Sequence, residues 1–202
     1  MSEGDLQHIK DYLDRVDSLR EYLIKHSRDI VALCRRVIYT CIRGGDASRL
    51  VLDLRGRFTE LYNSVKNVPE LFYSNLLHSV AAEYVEALQF HSIITESRLM
   101  TLSELNVHPV PYILGLLEVI GELKRYSLEL IKNNRIGESF NLLEKAEHIY
   151  DLLNTLNYVD AIVPGLRRKI DVYRKVIDDW RELLIDLRSR KELIDRIESI
   201  KM

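Results

Sequence analysis

Glycine and proline are scarce in this chain, with 8 and 4 among 202 residues. A many-stranded β fold needs such residues for its turns, so their rarity points to long helices instead. Cysteine is scarcer. Cys34 and Cys41 are the only two, and helical spacing sets them on one face about 10 Å apart along the axis. A disulfide cannot bridge that distance. No apolar run approaches the roughly 18 residues of a membrane-spanning helix. The charged N-terminal stretch has no signal-peptide pattern, so a cytoplasmic chain is expected. Neither sign of charge dominates, with 29 Lys+Arg against 31 Asp+Glu and a net charge of -2. That balance excludes a wholly basic nucleic-acid binder but leaves room for a local basic patch. Glutamine occurs only as Gln7 and Gln89, while Glu, Lys, Arg, Leu and Ile abound. Thermophilic proteins show this usage.

With 47% hydrophobic and 30% charged residues, the chain can build a core and stay soluble. Its length suits one domain, 1–202. The first helix is expected from Asp5 to Arg43, on the recurrence of Leu6, Ile9, Leu13, Val16, Leu19, Leu23 and Ile30. Gly44-Gly45 caps it. A second helix starts at Asp46 or Ser48 and ends near Asn67. Pro69 opens a third, to about Leu99. Thr101 and Glu104 form a capping-box pair at a short helical turn. Pro111 seats a fourth long helix to about Asn133. Gly137 marks a turn, Glu138 to Leu156 a fifth, and Pro164 opens a last helix towards Met202. The expectation is an all-α fold of six long helices plus one short one, without a strand, internal repeat or low-complexity linker.

Two stretches break the amphipathic rule. Leu76 to Phe90 is apolar nearly all round, as a buried helix is, yet carries Glu83 and Glu86 at i, i+3. Tyr112 to Leu123 is similar and carries Glu118 and Glu122 at i, i+4. Burying one unpaired carboxylate costs several kcal/mol, and four near one another would repel unless protonated or neutralised. Divalent metal is the economical solution, and an oxygen-only donor set suits Mg²⁺ or Mn²⁺. Two such ions about 3.5–4 Å apart can hold the attacking and leaving oxygens of a phosphodiester displacement. Gly115 and Gly121 would let a neighbouring helix approach closely. The alternative is that these acids pair with Arg98, Lys124 or Arg125, or sit on a solvated stripe. No His follows a Glu by three residues, so the Glu-x-x-His signature of ferritin-like di-iron sites is missing.

Four motifs carry a family resemblance. Glu83-Tyr84-Val85-Glu86-Ala87 is similar to the Glu-Tyr-Val-Glu-Ala of translin-associated factor X, a branch of the translin family. Pro109-Val110 followed by Tyr112-Ile113-Leu114-Gly115 resembles the family's Pro-Val-Asp-Tyr-Leu-Leu-Gly. Gly121-Glu122-Leu123-Lys124-Arg125 resembles its Gly-Glu-Leu-x-Arg, and Ser27-Arg28-Asp29-Ile30 its Ser-Arg-Asp-Ile. Their order and spacing hold over nearly the whole chain. The resemblance implies a seven-helix bundle whose subunits assemble into a hollow, roughly octameric shell that encloses nucleic acid. It also implies a metal-dependent endoribonuclease, since the acids of the catalytic branch match Glu83, Glu86, Glu118 and Glu122, whereas translin itself binds RNA and DNA without this set. Glu118 stands where that branch commonly has Asp, Pro111 replaces the family's Asp, and the connection from Leu99 to Pro109 is short. This form is similar to archaeal-type members, built from one kind of subunit or with a translin-like partner.

Arg28, Arg35, Arg36 and Arg43 fall on one side of the first helix, a stripe about four turns long that suits a phosphate backbone. Arg49, Arg55 and Arg57 would extend it from the second helix. A solvated face with local acid partners is the alternative. Arg167, Arg168, Lys169, Arg174 and Lys175 read as intrahelical pairing with Asp171, Asp178 and Asp179. Tyr73, Tyr84 and Tyr126 suit core packing better than base stacking, and His78, His91 and His148 suit ordinary core or surface roles. Together these residues point to a Mg²⁺- or Mn²⁺-dependent endoribonuclease acting on single-stranded or flexible RNA. The alternatives are a non-catalytic RNA- or DNA-binding shell and an all-α nucleotide pyrophosphohydrolase. The last usually adds Glu-x-x-Asp, but Gly121 follows Glu118 by three.

Overall fold

A computed structural model describes residues 2–200. Among them every regular element is an α-helix, as expected for the translin bundle. The chain divides into two compact units, Met1–Gly115 and Leu116–Met202. The first contains α1 (Glu3–Ile42), α2 (Ser48–Val65), α3 (Pro69–Phe72), α4 (Asn75–Glu96) and α5 (Leu102–Leu105). Helix α6 (Pro109–Lys132) starts in the first unit and continues into the second, which also holds α7 (Ile136–Asn154) and α8 (Leu166–Ile200). None of these helices is long and apolar enough to cross a membrane.

In the first unit α1 lies against α4 and α2. Ser2 caps it in a capping box with Asp5, and Gly44 ends it in the left-handed region at φ 72. Leu23, Ser27, Ile30, Cys34, Val37 and Cys41 are its buried seam, spaced four and three apart, as helix-on-helix packing requires. Both cysteines are free thiols. Phe58 of α2 stacks on Tyr84 of α4 with centroids 3.8 Å apart. Burial pushes the Tyr84 hydroxyl up to about 12. Gly115 brings the start of α6 onto α4 at backbone distance. A Cβ there would lie 2.6 Å from the Ala82 carbonyl oxygen and 2.7 Å from Val85 Cβ.

The connection after α4 is pinned by a side chain. Buried Gln89 donates from Nε2 to the Met100 carbonyl at 2.7 Å and accepts from the Met100 amide at 2.9 Å. The Tyr112 hydroxyl donates to the same carbonyl at 2.8 Å. Beyond it, Thr101 and Glu104 form the expected capping box on α5, which with Arg98 holds the Glu104 carboxyl down to about 2. Nearer the start of α4, His78 stacks on His108 with centroids 5.2 Å apart. His78 Nε2 is buried and has no hydrogen-bond partner.

The second unit packs α7 against α8. Fully buried Trp180 donates its indole N–H to Ser127 Oγ at 2.9 Å, and the Ser139 hydroxyl donates to the Ser127 carbonyl at 3.1 Å. Arg181 on α8 bridges Glu147 of α7 at 2.8 Å and Asp178 at 2.7 Å.

Several boundaries differ from the sequence expectation. The helix expected over 69–99 is broken at Tyr73-Ser74, giving a second short helix. Ser74 adopts φ -69, ψ 147, and its hydroxyl accepts from the Leu77 amide, starting α4 anew. Serine competes with the helix in this way because its side chain can replace a backbone acceptor. Asn134, at φ 59, rather than Gly137, makes the turn before α7. Gly165, at φ 73, leaves Pro164 outside α8. Helix α6 opens at Pro109, two residues before Pro111. Lys201 and Met202, placed in the last helix by the sequence, lie outside the described residues.

Two glycines of α6 make a matched test. At Gly121 an added Cβ would meet only the Tyr173 ring, at 3.7 Å, which is ordinary contact and not the close helix approach expected there. Gly115→Ala should cost about 1–3 kcal/mol through overpacking, whereas Gly121→Ala should be neutral or stabilising by up to about 1 kcal/mol. Urea denaturation of both variants measures the difference, and equal stabilities would contradict the packing described.

The His pair sets a pH dependence. Burial, then the neighbouring His108, holds the His78 pKa below its ordinary value. The unfolded chain therefore takes up the proton more readily, so this contribution is present above the unfolded pKa of about 6.5 and is lost as pH falls through the lower folded value. Thermal midpoints should drop on acidification through that window, and His78→Phe should flatten the profile.

Candidate nucleic-acid and metal site

Helix α4 is buried at every position from Val80 to Phe90 except Glu83 and Glu86, which are half-buried. The pair sits one turn apart, continuing a stripe begun by exposed Leu76 and Ser79. Both acids lie close enough to Cys34 on α1 to act on it. Burial first, then Glu83 and Glu86, push that thiol far above its ordinary range. Cys34 is thus a protonated core side chain and neither a nucleophile nor a thiolate ligand.

Glu118 and Glu122 occupy α6, also half-buried. Glu118 Oε1 accepts a hydrogen bond from Lys169 Nζ of α8, with the two side chains 27% and 25% exposed. Glu122 pairs with Arg125 at 3.3 Å. Of the cations that the sequence offered to these acids, Arg125 is therefore used, while Arg98 goes to Glu96 and Glu104 at 2.7 and 2.8 Å. Lys124 instead donates to the Val176 carbonyl at 3.1 Å. The sequence pattern reads Lys169 as an intrahelical partner. Arg174–Asp171 and Arg181–Asp178 are pairs of that kind, but Lys169 reaches Glu118 and Arg167 reaches Asn157. No local spacing signals a contact spanning 51 residues.

Each pair presents carboxylates, the hard oxygen donors that Mg²⁺ or Mn²⁺ takes. Among the described residues no three His, Cys, Asp or Glu side chains gather where one metal ion would reach them all. That still suits Mg²⁺, which is usually held by one or two carboxylates together with water and substrate phosphates rather than by a protein cage.

The arginines divide into two sets. Arg28, Arg35, Arg36 and Arg43 are all exposed on α1, and none makes an ion pair among the described residues. The Arg43 guanidinium lies 5.1 Å from the Tyr39 ring. Exposed Arg49 follows at the start of α2. Arg55, however, is half-buried and donates to the Met100 sulfur at 3.5 Å. Arg57 is tied to Asp53 at 2.8 Å. Of these arginines, Arg28, Arg35, Arg36, Arg43 and Arg49 are thus exposed and make no ion pair among the described residues. Of the tyrosines, Tyr84 is in the core and Tyr73 is 61% exposed.

The Translin family profile matches residues 18–191. An uncharacterized protein of Methanocaldococcus jannaschii is 27% identical over 203 residues, covering 98% of this chain and 89% of its own. The crystal structure of apo-NeC3PO superposes with a TM-score of 0.81 at 25% identity, covering 92% of this chain and 98% of that one. AfC3PO superposes with a TM-score of 0.84 at 24% identity, over 92% and 98% of the two chains. AfC3PO in complex with duplex RNA gives 0.78 at 23% identity, over 92% and 97%. With the fold, the motif order and the family profile in agreement over most of its length, this chain belongs to the Translin family.

Proposed function

We propose that this protein binds RNA along the arginine face of α1 and cleaves it with the help of Mg²⁺ or Mn²⁺ at the carboxylates of α4 and α6. The observation that carries the reading is the pair Glu83 and Glu86, the only side chains between Val80 and Phe90 that reach solvent. A segment buried at every other position gains nothing in packing from two acids. The acids at all four positions of the catalytic pattern support a reading with the translin-associated factor X branch. AfC3PO, of the same fold, binds duplex RNA, which supports RNA as the ligand.

The chain's own groups do most of the work in this reading. Arg28, Arg35, Arg36 and Arg43 bind and orient the phosphate backbone. Glu83 and Glu86 would supply oxygen donors on α4, and Glu118 and Glu122 on α6, with Lys169 bound to Glu118. A divalent ion held at either pair would lower the pKa of water and offset charge building on the phosphodiester. The exposed apolar residues Leu6, Ile9 and Leu13 of α1, and Ile194, Ile197 and Ile200 of α8, support assembly with further subunits. We take these to be copies of this chain in an octameric shell, with a translin-like subunit as the other candidate.

A second reading rests on a specific observation. Glu118 and Glu122 each already hold a cation, Lys169 and Arg125, which suits a binding shell without hydrolysis. A cleavage assay on short single-stranded RNA separates the two. The wild-type protein should cut with Mg²⁺ or Mn²⁺ and not with EDTA. Glu83→Gln should lose about a hundredfold or more in rate while still binding RNA. Full cleavage by Glu83→Gln would remove the assignment, and bound but uncut RNA would favour the second reading. Binding itself is tested by charge reversal at Arg35 and Arg36, which should weaken affinity and lower the salt slope by about 1.4 for a single strand. An unchanged affinity at low salt would exclude the α1 track.

A further inference from the structure

Tyr73 joins an exposed ring to an unusually fixed position. At 61% exposure it is more accessible than Tyr12, Tyr39 or Tyr158. Its backbone is held at the junction of α3 and α4. The Tyr73 amide donates to the Pro69 carbonyl at 3.0 Å, and the next residue, Ser74, donates through its hydroxyl to the Leu71 carbonyl at 2.7 Å. The ring stands nearly perpendicular to three others. Phe72 lies at 5.1 Å and 86°, His78 at 6.5 Å and 80°, and His108 at 5.8 Å and 87°. Two of these, His78 and His108, are stacked on each other, and the His108 amide donates to the Tyr62 hydroxyl at 2.9 Å. The nearby acid Glu70 is engaged by the Tyr12 hydroxyl at 2.5 Å.

Packing does not account for a ring so exposed, yet the buttressing fixes its orientation. A flat aromatic surface that is already ordered binds another flat surface with little entropic cost. Of the other exposed tyrosines, Tyr12 has its hydroxyl bound to Glu70 and Tyr39 has its ring facing Arg43. We propose that Tyr73 is a stacking platform for an unpaired nucleobase of the bound strand, a role that rests on the RNA-binding reading above. Every base has a π face, so such a platform is tolerant of sequence. It requires a base out of its duplex, which directs the protein towards single-stranded or frayed segments. The arginines of α1 supply charge and Tyr73 supplies a fixed ring, so the two contributions respond differently to salt.

The test compares the full-length wild-type protein with Tyr73→Phe, Tyr73→Ala and Tyr73→Leu. The probes are single-stranded RNA and DNA of one sequence, carrying 2-aminopurine or an abasic site at successive positions. Fluorescence anisotropy reports affinity and 2-aminopurine quenching reports stacking. The wild-type protein and Tyr73→Phe should bind alike and quench at one or a few positions. Tyr73→Ala and Tyr73→Leu should bind about tenfold more weakly, without the quenching and with the salt slope unchanged. The loss should be equal for RNA and DNA, because stacking does not read the 2′-hydroxyl. The Leu variant retains apolar bulk, so its thermal midpoint guards against a packing defect. Unaltered affinity and quenching in the Ala and Leu variants would overturn the platform alone and leave RNA binding standing. So would a loss confined to RNA or shared by Tyr73→Phe, which would mean a hydroxyl contact. Failure of the wild-type protein to bind any strand would overturn both the platform and the RNA reading.

Discussion

The close approach of α6 to α4 at Gly115 constrains the rest of the first unit. A Cβ at this position would sit 2.6 Å from the Ala82 carbonyl oxygen, well inside van der Waals contact. The α4 groups at this approach are the Ala82 carbonyl oxygen and the Val85 side chain. With α4 packed against α1 and α2 as well, a narrow stripe of it stays half-buried between Val80 and Phe90. Glu83 and Glu86 occupy it. Their exposure is thus a consequence of how tightly the other faces are covered. A larger residue at position 115 would alter the surroundings of the acids without touching them.

Charge is then divided between the two units by different means. In the first, the field of Glu83 and Glu86 is felt by Cys34, whose thiol stays protonated. In the second, Glu118 is held by Lys169 and Glu122 by Arg125. The Lys169 ion pair is about three-quarters buried on both sides, so removing the lysine leaves a largely desolvated carboxylate and should be felt more strongly than loss of the exposed Arg125. The acids that look alike in sequence are therefore not equivalent. The α6 pair is positioned by cations of its own unit, and the α4 pair acts on a buried thiol.

The helices were legible because their signals are local. Periodic leucines, the Gly44-Gly45 stop and the Thr101–Glu104 capping box each act within a few residues, and the structure uses all of them. The break at Ser74 was hidden because a serine in an otherwise helical run can extend the helix or cap a new one, and the choice is made by packing. Glu83 and Glu86 stood out because their flanks are apolar on every side. Lys169 did not, since its partner lies on another helix. Arg55 appeared to belong with Arg57 and Arg49, yet it points towards Met100 while Arg57 points to Asp53. Gln89, scarce by type, carried no sequence signal for its paired bonds to Met100.

Helix α1 separates stability from recognition by face. Its buried seam, Leu23 to Cys41, runs along one side, and Arg28, Arg35, Arg36 and Arg43 all project from the opposite side. Helical geometry keeps the two sets roughly half a turn apart along the whole segment. Exposed arginines contribute little to folding, so their loss should leave the core intact, whereas a change in the seam would disturb α4 and the acids it carries. The same separation holds at Tyr73, whose backbone is fixed by α3 and α4 while most of the side chain remains in water. Groups offered to a ligand are accordingly set on a scaffold that does not depend on them, which allows each to be altered singly while the fold is retained.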